Sequence, residues 1–251
     1  MLRLVLPFAA VLAVLPSVVL ADTLTVAVAA NVQYAFDDLQ AAFSKETGHQ
    51  IKPVYNSSGK FVAQIMNGAP FDVFLSADME FPEKLYKEGF AAGAPKVYAY
   101  GALVLWTMKD LDLKNWQRVL AGAAVGKIAV ANPKTAPYGR ETINALQYFK
   151  LHDTIKPKLV FGESIAQTNQ YIHSRAADAG FTAKSVVVSP EMQGKGTWIE
   201  LPKGSYQPIA QGALILKHGQ QTKPEPAQQF YDFLYSAKAR AIFERYGYLL
   251  P

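Results

Sequence analysis

Small hydrogen-bonding residues occupy four places where an apolar segment of strand length is followed by a segment of helical period. These four junctions are residues 29–31 (AAN), 56–59 (NSSG), 132–139 (NPKTAPYG) and 162–167 (GESIAQ). The first N–H groups of a helix have no partner within the helix, and together they carry a partial positive charge of about half a unit. The junctions are therefore suited to bind an anion without any cationic side chain.

Each junction also has a purely structural explanation. Asn31 and Ser58 are favoured N-cap residues, and Ser164 with Gln167 three residues later fits a capping box. Tyr138 fits an ordinary surface turn. Only the convergence of the four junctions on one cleft would make them a binding site.

The elements that must position these junctions follow from hydrophobic period. Strand-length and helix-length segments alternate along the chain, which is typical of a doubly wound α/β protein. Two long apolar runs, at 97–107 and 206–217, bracket the middle block and predict strands that cross between two lobes. We expect residues 22–103 and 211–251 to form lobe 1 and residues 104–210 to form lobe 2. In such sheets ligands bind beyond the carboxyl ends of the strands, where the junctions lie.

In detail, the pattern predicts strands at 23–30, 51–55, 72–76, 127–131 and 158–161. It predicts helices after Asn31 as far as Gly48, and at 59–67, 82–89, 140–150, 165–179 and 225–246.

Composition excludes several classes of protein. The 251 residues are 50% hydrophobic and only 18% charged, so the chain is folded and has a large core. It contains no cysteine, which removes disulfide scaffolds, thiolate metal sites and cysteine nucleophiles. The net charge of +5 is spread thinly with no basic run, so nucleic acid is not an expected partner.

The first 21 residues predict a secretory signal. Arg3 supplies the positive start, residues 4–15 are apolar apart from Pro7, and small residues precede Asp22. A membrane anchor is the alternative, but this apolar stretch falls short of the roughly 20 residues that span a bilayer. We expect cleavage near Ala21 and export of the mature chain to the periplasm.

Enzyme motifs are poorly represented. Ser57 and Lys60 have the S-x-x-K spacing of serine β-lactamases, but S-D-N is absent and residues 195–197 read K-G-T instead of K-T-G. The four histidines are isolated from one another and have no zinc-site spacing. We expect neither catalysis nor a metal cation, and a serine hydrolase remains the less favoured alternative.

Five sequence pieces resemble the periplasmic molybdate-binding proteins of ABC transporters. They are VAVAAN at 26–31, SSGKFVAQIMNGAPFDVFLSAD at 57–78, FPEKL at 81–85, ANPKTAPYG at 131–139 and GYLLP at 247–251. The long second piece is the most specific, and the resemblance covers essentially the whole mature chain.

The resemblance implies a type II periplasmic binding protein, with two lobes that are each a mixed sheet flanked by helices and are joined by two crossing strands. It implies a monomer that captures molybdate, and also tungstate, and delivers it to a membrane ABC permease without any cofactor. The ligand-binding residues that it implies are Ala30, Asn31, Ser58, Tyr138 and Ile165.

Two departures from the family pattern concern this ligand set. Some members have Ser or Thr where this chain has Ala30, which offers only its backbone, and enteric members have a tyrosine where this chain has Ala183. Tyr138 is expected to replace that tyrosine. A receptor for another tetrahedral oxyanion, such as sulfate or phosphate, is the alternative within the same fold.

Overall fold

The computed structural model describes residues 21–251, which form two lobes around two five-stranded sheets. The predicted signal at 1–21 therefore lies outside the described residues, except for Ala21. Within residues 21–251, no helix combines the length and the apolar character needed to cross a bilayer.

The strands are β1 Thr23–Ala29, β2 Gln50–Asn56, β3 Val73–Leu75, β4 Lys96–Gly101, β5 Leu103–Thr107, β6 Ile128–Ala131, β7 Leu159–Gly162, β8 Ala179–Ala183, β9 Thr197–Glu200 and β10 Ile209–Ile215. The helices are α1 Gln33–Thr47, α2 Ser58–Met66, α3 Glu80–Lys87, α4 Trp116–Ala121, α5 Pro137–Tyr148, α6 His152–Ile155, α7 Ile165–His173, α8 Lys184–Val187, α9 Lys217–Thr222, α10 Pro224–Phe233 and α11 Ala237–Arg245. Short 3-10 turns occupy Ala30–Val32, Leu113–Asn115, Lys156–Lys158 and Lys203–Ser205.

Both sheets have the same arrangement of strands. The first has the order β2-β1-β3-β10-β4, and the second has the order β7-β6-β8-β5-β9. In each, three neighbouring strands are parallel and one strand from elsewhere in the chain runs antiparallel between the third and the edge. The predicted fold class, two mixed sheets flanked by helices, is confirmed.

The chain crosses between the sheets twice. The first crossing runs through Ala102, between β4 and β5, and the second lies between β9 and β10. The long apolar run at 97–107 is therefore two strands in two different sheets. We propose the lobe limits at 103/104 and 210/211 from sequence as approximate hinge positions beside these crossings.

The first helix shows how the hydrophobic pattern builds lobe 1. Its apolar residues Ala35, Phe36, Leu39 and Phe43 recur at helical spacing, and all four are fully buried against β1 and the C-terminal helices. Gly48 ends the helix with φ 80°, a left-handed conformation that glycine adopts without strain. The predicted buried face and the predicted end of this helix are confirmed.

Two predicted helices are shorter than their pattern. The segment at 225–246 is divided into α10 and α11, because Ser236 caps a new helix by accepting a hydrogen bond from the Ala239 N–H at 3.2 Å. The segment at 165–179 ends as a helix at His173, because Ala179 already begins β8 beside β6. Strand pairing has overridden local helical period there.

Gly139 allows the start of α5 to lie directly against the end of β6. A Cβ atom at this position would stand 2.0 Å from the Ala131 carbonyl oxygen, which is backbone and cannot rotate away. Any larger residue must displace the first turn of α5 from the sheet.

We predict that Gly139→Ala lowers the free energy of unfolding by roughly 1 to 3 kcal/mol, the usual cost of overpacking, despite the better helix propensity of alanine. Urea unfolding followed by circular dichroism measures this. Gly93→Ala is the matched control, because nothing lies within 4 Å of its added Cβ. Equal stability of the two variants would contradict the prediction.

Candidate functional site

A small cavity lies where the two lobes meet. Its volume is about 10 Å³, so it has room only for a small guest. Among the described residues, ten line it and all ten are buried. They are Ala29, Ala30, Asn31, Ser57, Ser58, Ala77, Ala136, Pro137, Tyr138 and Ile165.

The four junctions identified from sequence all reach this cavity. Two belong to lobe 1, where β1 leads into the turn Ala30–Val32 and β2 leads into α2. The other two belong to lobe 2, where they precede α5 and α7. All five residues of the expected ligand set are therefore together at the cavity wall: Ala30, Asn31, Ser58, Tyr138 and Ile165.

Ser58 is the first residue of α2 and is fully buried. Its hydroxyl oxygen accepts a hydrogen bond from the Ala77 N–H at 2.9 Å. This bond fixes the side chain and leaves the hydroxyl proton free for another acceptor. Ser58 is thus a donor held in place by the chain that follows β3.

Asn31 has a different role from the N-cap that the sequence predicts. It lies within the turn Ala30–Val32 and makes no side-chain cap, so that prediction is wrong. Its side-chain nitrogen donates to Gln211 Oε1 at 2.7 Å and to Tyr248 Oη at 3.2 Å. Since both amide hydrogens are used within the protein, the remaining donor of Asn31 is its backbone N–H.

Tyr138 is the second residue of α5 and is buried, with 1% of its surface exposed. Its hydroxyl lies against the end of β4, since a Cβ atom on Gly101 would stand 1.9 Å from it. Burial raises the pKa of the Tyr138 hydroxyl well above its usual value, and the neighbouring tyrosines Tyr248 and Tyr98 add to the rise. The side chain therefore stays neutral and lies beside the crossing between the two sheets, while the backbone N–H belongs to the first turn of α5.

Ile165 and Ala30 can present only backbone donors to the cavity. Ile165 is the first residue of α7, where N–H groups have no acceptor within the helix. Ser164 caps this helix by accepting from the Gln167 N–H at 3.4 Å, as the capping pattern predicts. The cap satisfies the third N–H and leaves the first for a ligand.

No charged side chain is among the ten described residues of the cavity wall. The nearby cations pair with carboxylates across the lobe boundary instead. Arg140 of α5 donates to Asp78 at 2.7 Å and to Glu80 at 2.9 Å, and Lys60 of α2 pairs with Glu163 at 2.5 Å. These ion pairs join the lobes around the cavity and leave its interior to neutral donors.

Asp78 is the most buried member of these pairs. Desolvation by burial raises its pKa above the usual value, and the hydrogen bond from Arg140 opposes that rise. A backbone hydrogen bond adds to the contact between the lobes, since the Gly59 N–H donates to the Thr135 carbonyl at 2.9 Å. The lobes are therefore held together by polar contacts across the boundary between them.

The alternative of a serine hydrolase gains no support from this geometry. Lys60 is engaged by Glu163, so it is not a free base for Ser57. Within residues 21–251, no cluster of three His, Asp or Glu side chains could hold a metal ion. What the cavity can do is bind a small anion with neutral hydrogen-bond donors.

Sequence reasoning missed the polar network behind this wall. Gln211 is fully buried in β10 and also accepts from Tyr98 at 2.9 Å, while Ser185 of α8 and Tyr248 both donate to the Asn31 carbonyl at 2.8 Å. Gln211 stands within a predicted apolar strand, where a buried amide is unusual, and this was the one available signal.

Comparisons with known proteins show the family to which the chain belongs. Residues 24–249 match the family model described as bacterial extracellular solute-binding protein. The chain is 42% identical to the molybdate-binding protein ModA of Azotobacter vinelandii over 89% of this chain and 88% of that protein. It is 38% identical to ModA of Rhodobacter capsulatus over 89% of this chain and 86% of that protein.

A solved structure shows the same architecture. The periplasmic molybdate-binding protein of Azotobacter vinelandii superimposes with a TM-score of 0.85 at 38% identity, covering 91% of this chain and 99% of that one. Fold and sequence similarity therefore extend over both lobes.

Proposed function

The chain belongs to the family of bacterial extracellular solute-binding proteins, and we propose that it captures molybdate, and also tungstate, for an ABC permease in the membrane. Like its molybdate-binding relatives, it is a transport protein and not an enzyme. One observation carries the proposal: in a chain 42% identical to a molybdate-binding protein, four helix starts from two lobes meet at one uncharged cavity.

The proposed ligand shell consists of neutral donors only. The backbone N–H groups of Ala30, Asn31, Tyr138 and Ile165 and the hydroxyl of Ser58 face the oxyanion. Tyr138 contributes its N–H in this proposal because its hydroxyl lies against Gly101. Hydrogen bonds to a charged group contribute roughly 1.5 to 3 kcal/mol each, so five such donors suffice for tight binding after the costs of association.

This donor set favours an oxyanion that carries no proton. Near neutral pH phosphate often keeps one proton, which requires an acceptor such as a carboxylate. None of the ten described wall residues supplies one. Size must then separate molybdate from the smaller sulfate, because both are unprotonated tetrahedral dianions.

Closure of the lobes completes the shell, since each lobe provides only part of the donors. We propose that the ion pairs of Arg140 form as the lobes close and therefore favour the bound state.

The protein requires no cofactor and acts as an exported monomer in the periplasm after cleavage near Ala21. Its partners are the oxyanion and the permease, and nucleic acid is not among them.

The proposal predicts a clear order of affinity among oxyanions. Molybdate and tungstate should bind at least tenfold more tightly than sulfate or phosphate, because only they satisfy both the size and the donor-only shell. Titration calorimetry with the four sodium salts measures this. A sulfate affinity equal to that for molybdate would instead identify a general oxyanion receptor.

Removal of the Ser58 hydroxyl should weaken molybdate binding by about tenfold or more, as expected for the loss of one hydrogen bond to a charged ligand. Ser58→Ala also leaves the Ala77 N–H without its acceptor. Ser236→Ala is the matched control, because it removes an acceptor from the Ala239 N–H far from the cavity. An equal affinity of both variants for molybdate would exclude Ser58 from the site.

Loss of the Arg140 ion pairs should weaken molybdate binding roughly fivefold, equivalent to about 1 kcal/mol for a partly exposed pair. Arg140→Gln removes contacts that join the lobes, whereas the control Arg245→Gln breaks a pair with Asp38 within lobe 1. Calorimetry on both variants tests this. The idea fails if Arg245→Gln reduces the affinity as much as Arg140→Gln.

A further inference from the structure

We infer that the hydroxyl of Ser57 is an additional donor to the bound oxyanion, beside the five residues expected from sequence. This inference rests on the proposed function and deepens it. Ser57 lines the same cavity as Ser58 but is not in the ligand set expected from sequence.

Ser57 does not cap α2 with its side chain, although it stands at the capping position. It is the N-cap residue of α2, with extended backbone angles of φ −73° and ψ 149°. A serine at an N-cap usually accepts a hydrogen bond from one of the next N–H groups. Here the Ser57 side chain makes no capping bond, and the Gly59 N–H donates across the lobe boundary to Thr135.

The Ser57 hydroxyl is buried without a partner. The residue is 4% exposed, and its oxygen has no hydrogen bond to any described group. An unpaired buried hydroxyl costs free energy, so such groups are rare in folded proteins and call for a reason. A ligand oxygen in the adjoining cavity would supply the missing acceptor.

The residues beside Ser57 supply few side-chain donors to the cavity. Ser58 uses one side of its hydroxyl to accept from Ala77, and Ala30 on the adjacent junction has only a methyl group. Ser57 therefore adds a second serine hydroxyl to the cavity wall. Its neutral O–H has the same chemistry as the rest of the proposed shell.

If the Ser57 hydroxyl binds the ligand, its removal should weaken ligand binding without lowering the stability of the unliganded protein. Ser57→Ala should weaken sodium molybdate binding by about tenfold or more in titration calorimetry, the effect of losing one charge-assisted hydrogen bond. In urea unfolding without ligand, the same variant should be as stable as wild type or more stable, because an unpaired polar group has been removed.

Ser44→Ala provides a matched control. Ser44 also carries a buried hydroxyl without a partner, but it lies near the far end of α1 and does not line the cavity. Its replacement should leave molybdate affinity unchanged, so any general effect of removing an unpaired hydroxyl appears in both variants.

The possible failures are distinguishable. Wild-type protein without molybdate affinity would overturn the proposed function and this inference together. Wild-type binding with unchanged affinity in Ser57→Ala would overturn the inference alone. Parallel losses of affinity and of unliganded stability in Ser57→Ala would assign Ser57 a structural role and also overturn it.

Discussion

The rest of the structure depends on one electrostatic arrangement, in which helix starts from both lobes direct unpaired donors at a shared cavity. Helix N-termini favour an anion through fixed dipoles, whose directions are set by the backbone. Lysine or arginine would attract many anions from flexible stems, whereas backbone donors accept only a ligand whose oxygens lie where the N–H groups point. The repeated strand order serves this end, because it places the carboxyl ends of β1, β2 and β6 at the gap between the lobes.

Such donors are selective only if the wall that carries them is rigid. Asn31 illustrates how this rigidity is achieved, since its side chain is held by Gln211 and Tyr248 and its carbonyl by Ser185. The amide is thus used to orient the backbone and not to touch the ligand. Because Ser185 belongs to lobe 2, the same network also connects the two lobes behind the cavity. These hydrogen bonds hold the turn in one position, although the Gln211 side-chain nitrogen has no partner of its own among the described residues.

The parts of the fold and site that could be predicted from sequence are those with local causes. The strands, the capped start of α7 and the buried face of α1 follow from residue period and capping chemistry, and the junction residues do meet at one cavity. The role of Asn31 could not be predicted, because its partners Gln211 and Tyr248 are 180 and 217 residues away. The end of α7 at His173 was likewise decided by the pairing of β8, a non-local effect.

The unpaired donors also give a physical reason why the ligand-bound protein and the ligand-free protein would differ in how readily their lobes close. In the proposed closure of the lobes, polar contacts such as Arg140 with Asp78 would form whether or not a ligand is present. Closure without a ligand, however, buries the donors at the cavity wall away from water, and each unpaired group costs roughly 1 to 3 kcal/mol. A ligand shifts the lobe equilibrium only by its differential affinity for the closed form. Under the proposed function, the donors at the cavity wall are therefore also the groups that oppose closure of the empty protein.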